Sequence, residues 1–279
     1  MAKIIGAITT SHVPAIGGAI AKRLHDDPYW KPLFDGFGPV RRWLAEVKPD
    51  VAIVVYNDHG LNFFLDKMPT FAVGAAPEYR NADEGWGIPQ VPPFEGDLDL
   101  SWHLIESLTA EDFDLTTCQE MLVDHAVTLP MALLWPDQKW PVRVVPVCIN
   151  TVQFPLPSAA RCYKLGEAIG RAVEAWPGNE RVVVLGTGGL SHQLEGERAG
   201  HINKAFDIKF MDSLVGDDPK WATRFSINDL VKEVGTQGIE LLMWPTSRGA
   251  LTGKVRQLHR NYHIPISNTA SGLMVMDQR

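Results

Sequence analysis

The chain has 279 residues, 45% of them hydrophobic and 21% charged, with a formal net charge of −7; that is enough to bury a substantial core in one or two domains, and the acidic balance, with no basic stripe to offset it, argues against a nucleic-acid or anionic-membrane partner. No stretch approaches 18 consecutive apolar residues, and the N-terminus lacks a basic region followed by a signal-like segment, so a cytoplasmic protein is expected. Cys118, Cys148 and Cys162 are odd in number and scattered, without Cys-x-x-Cys spacing, which argues against a disulfide scaffold and against structural zinc.

Along the chain, the apolar run at residues 3–8 reads as a first strand and stops at Thr9-Thr10-Ser11-His12. Val40, Trp43, Leu44 and Val47 then mark one face of a helix starting after Pro39. A continuous apolar run at 51–56, ending in Asn57-Asp58-His59, has the character of a strand buried on both faces of a parallel sheet. Residues 77–97 carry Pro77, Gly85, Gly87, Pro89, Pro92, Pro93 and Gly96, and predict a long loop of the kind that often covers a site. Residues 98–108 look helical. A strand at 142–149 is followed by a helix at 158–176, stopped by Pro177-Gly178, and by another strand at 181–186. Residues 249–258 read as a helix and 270–276 as a last strand. The alternation predicts a single α/β domain over 1–279, with a central, mostly parallel sheet flanked by helices and long active-site loops.

Ligands of such sheets gather outside the carboxyl ends of the strands. His12, His59 and His192 each stand just past a predicted strand, and three imidazoles in one cleft suit a metal or an acid–base site. Alone, each is more often a hydrogen-bonded structural residue; the repetition favours function. A carboxylate partner is harder to choose. Asp58 and Asp124 each precede a histidine, Glu84 lies in the long loop, and Glu240 sits among apolar residues in 238–244. Spacing alone does not select among them. Gly186-Thr-Gly-Gly-Leu-Ser-His192 lacks the Gly-Lys-Ser/Thr of a phosphate loop and reads as a tight turn presenting His192, a plausible base. His25, His103, His201, His259 and His263 have no comparable setting and read as structural or solvated.

Taken in order, Ser11-His12-Val13-Pro14, Tyr56-Asn57-Asp58-His59, Ala82-Asp-Glu-Gly-Trp-Gly87, Val123-Asp-His125, 186–193, 196–200, Ile239-Glu-Leu-Leu-Met-Trp244, 248–251 and 262–270 resemble the class III (LigB-like) extradiol ring-cleaving dioxygenases, the family of the protocatechuate 4,5-dioxygenase β subunit. Each motif alone is weak; their ordered combination over nearly the whole chain is specific. The resemblance implies a non-haem Fe(II) held by His12, His59 and Glu240, with His192 as general base, His125 as a second histidine near substrate and oxygen, and Ser267, Asn268 and Thr269 facing the substrate carboxylate. It implies cleavage of protocatechuate at the 4,5 bond, with gallate or 3-O-methylgallate as the alternative. A small helical α subunit in an α2β2 complex is implied as partner, or a homodimer if the chain is self-sufficient. Gly60-Leu61-Asn62, Ala126 and Pro245 depart from the family pattern around the pocket. Two readings from other classes stand beside this one: a zinc-dependent hydrolase, and a non-catalytic binding protein like the Memo proteins.

Overall fold

The computed structural model describes residues 1–85, 87–264 and 268–278. Its strands are β1 (Lys3–Thr10), β2 (Val51–Tyr56), β3 (Phe71–Gly74), β4 (Glu78–Asn81), β5 (Phe94–Glu95), β6 (Thr116–Cys118), β7 (Leu122–Val123), β8 (Arg143–Ile149), β9 (Arg181–Thr187), β10 (Val255–His263) and β11 (Ser271–Gln278). The main sheet runs β10-β11-β1-β9-β2-β8-β3-β6, and a small second sheet runs β5-β4-β7. Around β1, β9, β2 and β8 the pairing is parallel; β11 adds antiparallel to β1, and β3 adds antiparallel to β8. The predicted α/β class with a mostly parallel centre is therefore what the chain adopts.

The helices are α1 (Pro14–Ala21), α2 (Lys31–Val47), α3 (Leu98–Ala110), α4 (His125–Leu134), α5 (Ala159–Ala175), α6 (Lys204–Val215), α7 (Ile227–Val234) and α8 (Met243–Gly249). They cover both faces of the sheet, because successive strand side chains point to opposite faces. Val51, Ile53 and Val55 of β2 pack with Leu104 of α3 and Leu165 and Ile169 of α5. Ala52, Val54 and Tyr56 pack on the other face with Phe37 and Val40 of α2 and Met131 of α4. A strand buried on both faces needs no alternation of polarity, which is why this run is continuously apolar.

Three local expectations are corrected. The helix expected at 249–258 is replaced by α8, which ends at Gly249, and by strand β10, which pairs along β11 from Val255 to His263. Helical spacing of a few apolar residues could not register that pairing partner. Helix α2 begins at Lys31 and runs through Pro39, since Leu33, Phe34 and Phe37 bury on the same face as Val40 and Leu44. The loop at 77–97 contains β4 and β5, stitched to β7 in the small sheet. None of the described helices is long and apolar enough to cross a membrane.

Candidate metal centre and active site

Parallel strands deliver three histidines to one end of the sheet. β1 ends at Thr10, and Ser11 turns the chain: its hydroxyl accepts from the Gly272 amide (3.0 Å) and its own amide donates to Gly272 O (3.1 Å), leaving His12 buried at the strand end. After β2, the Asp58 carboxylate accepts from the backbone amides of Gly60, Leu61, Asn62 and Phe63. That cluster folds the loop back and places His59. After β9, the glycine turn presents His192, whose amide donates to Val234 O (2.8 Å) and whose carbonyl accepts from Gly238 (3.1 Å). The same turn is joined to Ala270, so the segment before β11 passes along the site and Thr269 bridges to His192.

Glu240 comes from a short 3₁₀ turn (Gly238–Leu242), and it is the carboxylate that reaches the imidazoles. Its Oε2 lies 3.3 Å from His12 Nε2 and 3.9 Å from His192 Nε2, and its Oε1 lies 3.4 Å from His59 Nε2. Asn57 Nδ2 and the Gly189 amide donate to its two oxygens, at 3.2 and 3.3 Å. Gly188 makes this approach feasible: it adopts φ of +137°, and a Cβ there would stand 2.8 Å from Glu240 Cβ.

Asp124 and Glu84 stand behind histidines instead. Asp124 caps α4 through the Ala126 amide and accepts from both His59 Nδ1 (3.0 Å) and the His59 amide (2.8 Å). Glu84, on the long loop, accepts from His125 Nδ1 and, at 2.7 Å, from the His125 amide at the first position of α4. His12 Nδ1 faces the Thr187 hydroxyl at 3.3 Å; that hydroxyl donates its own proton to Ala126 O (2.7 Å), so it accepts from His12. His192 Nδ1 donates to Leu190 O at 2.8 Å. With every Nδ1 committed as a donor, each neutral ring carries its lone pair on Nε2.

The electrostatics differ from ring to ring. Burial pushes the His12 imidazole below its ordinary value, against the pull of Glu240. Burial opposes the charged form of His59 too, but Asp124 and Glu240 raise it well above its ordinary value. Burial would raise Glu240, yet His12, His59 and His192 bring it well below the usual carboxylate range. The same contest brings Asp124 down to about 2, burial being outweighed by His59 and His125.

The four imidazoles and Glu240 line a cavity of about 230 Å³ together with Val13, Pro14, Ala15, Gly189, Leu194, Gln237 and Thr269. A metal ion fits the donor set. His12 Nε2 is buried without a hydrogen-bond partner. One ring nitrogen each of His12, His59 and His125 lie within 4.8 Å of one another, a group that could hold a metal. Glu240 lies between the first two, so two imidazoles and a carboxylate are also at hand.

The expected site residues are thus brought together in part. His12, His59, His125, His192, Glu240 and Thr269 line one cavity. Asn268 sits exposed at a turn with φ of +54°, outside that lining, and Ser267 lies outside the described residues. Of the histidines read as structural, His103, His201 and His259 bond to the carbonyls of Ala172, Glu233 and Gly36. Thr187 and Gln237 carried no separate sequence signal. Ala126 proves useful through its carbonyl, and Pro245 falls in the first turn of α8, where a missing amide costs little.

The profile of the family described as "Catalytic LigB subunit of aromatic ring-opening dioxygenase" matches residues 6–272. Gallate dioxygenase of Pseudomonas putida is 38% identical over 199 residues, covering 71% of this chain and 58% of that protein. The 2,3-dihydroxyphenylpropionate/2,3-dihydroxicinnamic acid 1,2-dioxygenase of Klebsiella pneumoniae is 33% identical over 187 residues, covering 66% of this chain and 55% of that protein. The chain thus spans little more than half the length of these relatives. The crystal structure of an uncharacterized Escherichia coli K12 protein superposes with a TM-score of 0.60 over 97% of this chain and 99% of that one, at 15% identity, which shows the fold alone.

Proposed function

The chain belongs to the family of catalytic LigB subunits of aromatic ring-opening dioxygenases, and from that membership we propose that it is an extradiol dioxygenase, opening a carboxylated catechol with dioxygen at a ferrous ion. The observation that carries this reading is the gathering of the His12, His59 and His192 Nε2 atoms around one carboxylate in a small cavity. His12, His59 and Glu240 hold the ion in this proposal, leaving coordination positions on the cavity side. When bound, ferrous iron supplies the redox chemistry that couples an electron-rich ring to dioxygen.

The chain's own groups do the rest. His192, with Nδ1 fixed on Leu190 O, offers Nε2 to take the proton of a substrate hydroxyl. His125 is held by Glu84 at two points, so its Nε2 is a second acid–base group beside the same cavity. Val13, Pro14 and Ala15 form an apolar wall for the ring. Thr269, with Ser267 and Asn268, is proposed to meet the substrate carboxylate.

The substrate we favour is gallate, with protocatechuate and its 4,5 cleavage as the second reading. Support for that order comes from the gallate dioxygenase of Pseudomonas putida. A companion chain over the cleft, either a small helical α subunit or a second copy, is also proposed; Phe64, Leu65 and Phe154 expose apolar surface on loops following β2 and β8.

The test is anaerobic loading with ferrous iron, followed by oxygen-electrode assays on gallate, 3-O-methylgallate, protocatechuate and catechol. Stoichiometric oxygen uptake with a ring-opened product, fastest on gallate, is expected. Turnover only with zinc and without oxygen uptake would make the chain a hydrolase. No metal and no turnover, with and without a co-expressed small subunit, would leave a binding protein.

A further inference from the structure

We infer that Gln237 recognises the ring carboxylate of the substrate while fastening the mouth of the cavity; this rests on the ring-cleavage reading and adds a specificity residue to it. Apart from the imidazoles and Glu240, the described cavity wall is apolar except for Gln237 and Thr269. No lysine or arginine is among these lining residues. A substrate carboxylate must therefore be held by neutral donors.

Gln237 stands in the right place for that task. It caps the 3₁₀ turn that carries Glu240, and the Glu240 amide donates to its carbonyl at 3.1 Å. Residues three apart eclipse in a 3₁₀ turn, about 6 Å apart along the axis. Gln237 and Glu240 thus share a face, separated by roughly the width of a benzene ring. A catechol with its oxygens at the Glu240 end directs its far edge toward Gln237.

The hydrogen bonds settle which end of the amide is left free. The Leu194 amide can only donate, so Gln237 Oε1 faces it, at 3.1 Å. The Thr236 hydroxyl donates to the same oxygen at 2.6 Å. Both lone pairs of Oε1 are then used, and what remains for the cavity is an NH2 group, which can only donate. A donor of that kind favours an anionic oxygen over a hydroxyl, because charge-assisted bonds are roughly twice as strong. One side chain thereby touches the substrate and holds Leu194, which is 59% exposed at the cavity mouth.

Gln237→Glu separates the two roles, since it keeps an acceptor for Leu194 and removes the donor. The chain, loaded with ferrous iron, is compared with this variant and with Gln237→Leu on 3,4-dihydroxybenzoate and catechol. In parallel, binding of 4-hydroxybenzoate and phenol, which are not ring-opening substrates, is measured by calorimetry on the metal-free chain. Gln237→Glu is expected to lower kcat/KM for 3,4-dihydroxybenzoate and affinity for 4-hydroxybenzoate ~10–100-fold, as for a hydrogen bond to a charged group. Catechol and phenol should change less than ~3-fold by the same reasoning, having no acceptor to lose. Equal losses with and without the carboxylate would reduce Gln237 to an anchor for Leu194. No loss in either variant would remove it from the substrate site. If the parent chain opens no catechol yet binds 4-hydroxybenzoate through Gln237, the ring-cleavage reading fails and this assignment stands.

Discussion

The four imidazoles around the cavity have two kinds of backing. His59 and His125 rest on carboxylates, Asp124 and Glu84, while His12 and His192 rest on neutral oxygens, the Thr187 hydroxyl and the Leu190 carbonyl. All four rings are aimed alike, Nδ1 outward and Nε2 toward the cavity. Their basicity is not alike: His59 is raised well above its ordinary value and His12 is lowered. Any acceptor can fix the plane of a ring, and a charged one adds more to its hold on a proton or a metal. The difference teaches that two rings aimed alike at one carboxylate are set apart by what surrounds them, His59 by the Asp124 charge and His12 by burial.

The severest break of this arrangement is to remove what both sides share. Glu240→Ala, and equally His12→Ala or His59→Ala, should lose stoichiometric iron and reduce oxygen uptake to background, measured by metal analysis and an oxygen electrode. Full iron content in any of the three would take that residue out of the ligand set. His192→Ala acts on the neutral side and leaves all three proposed ligands in place. It should keep its iron and slow turnover ~10²–10⁴-fold, the usual contribution of a positioned acid–base group. Loss of iron there would mean that a ligand has been mistaken for a base.

The comparison is sharpened by changing the backing groups themselves. Asp124→Asn should weaken iron binding ~10–100-fold, and Glu84→Gln should keep iron but cost ~10-fold in turnover, as partners behind active-site imidazoles commonly do. Thr187→Val, on the neutral side, should weaken iron binding less than ~10-fold on the same scale. Chelator competition orders the three; a Thr187→Val loss as large as that of Asp124→Asn would erase the distinction between the sides.

The smallest expected effect concerns acid stability of the metal-free chain. The Asp124 carboxyl moves from its ordinary value down to about 2 in the fold, so the folded state favours its ionised form. That stability is present above the unfolded value and lost as pH falls from about 4 through about 2. Urea unfolding at pH 5 and at pH 2.5 should show a smaller acid-dependent loss in Asp124→Asn than in the parent. An identical loss in both would place the acid sensitivity elsewhere.

Much of the framework can be read from residue order alone. Continuous apolar runs at 3–8, 51–56, 142–149 and 181–186 identify the parallel centre, because a strand covered on both faces has no solvent side to mark with polar residues. Histidines just past three of those runs place the cleft, because parallel strands all deliver their carboxyl ends to one edge. The short elements were less legible: β10 is a strand because β11 is there to pair with it, and no local pattern reports a partner. The division of labour among the acids was equally hidden. Asp58, Asp124, Glu84 and Glu240 all looked eligible, and only tertiary contacts turned one to folding a loop, two to backing imidazoles and one to the cavity. Residue identity determined which chemistry was available; the distances between segments far apart in the chain decided which group performs it, since a carboxylate acts on what it touches.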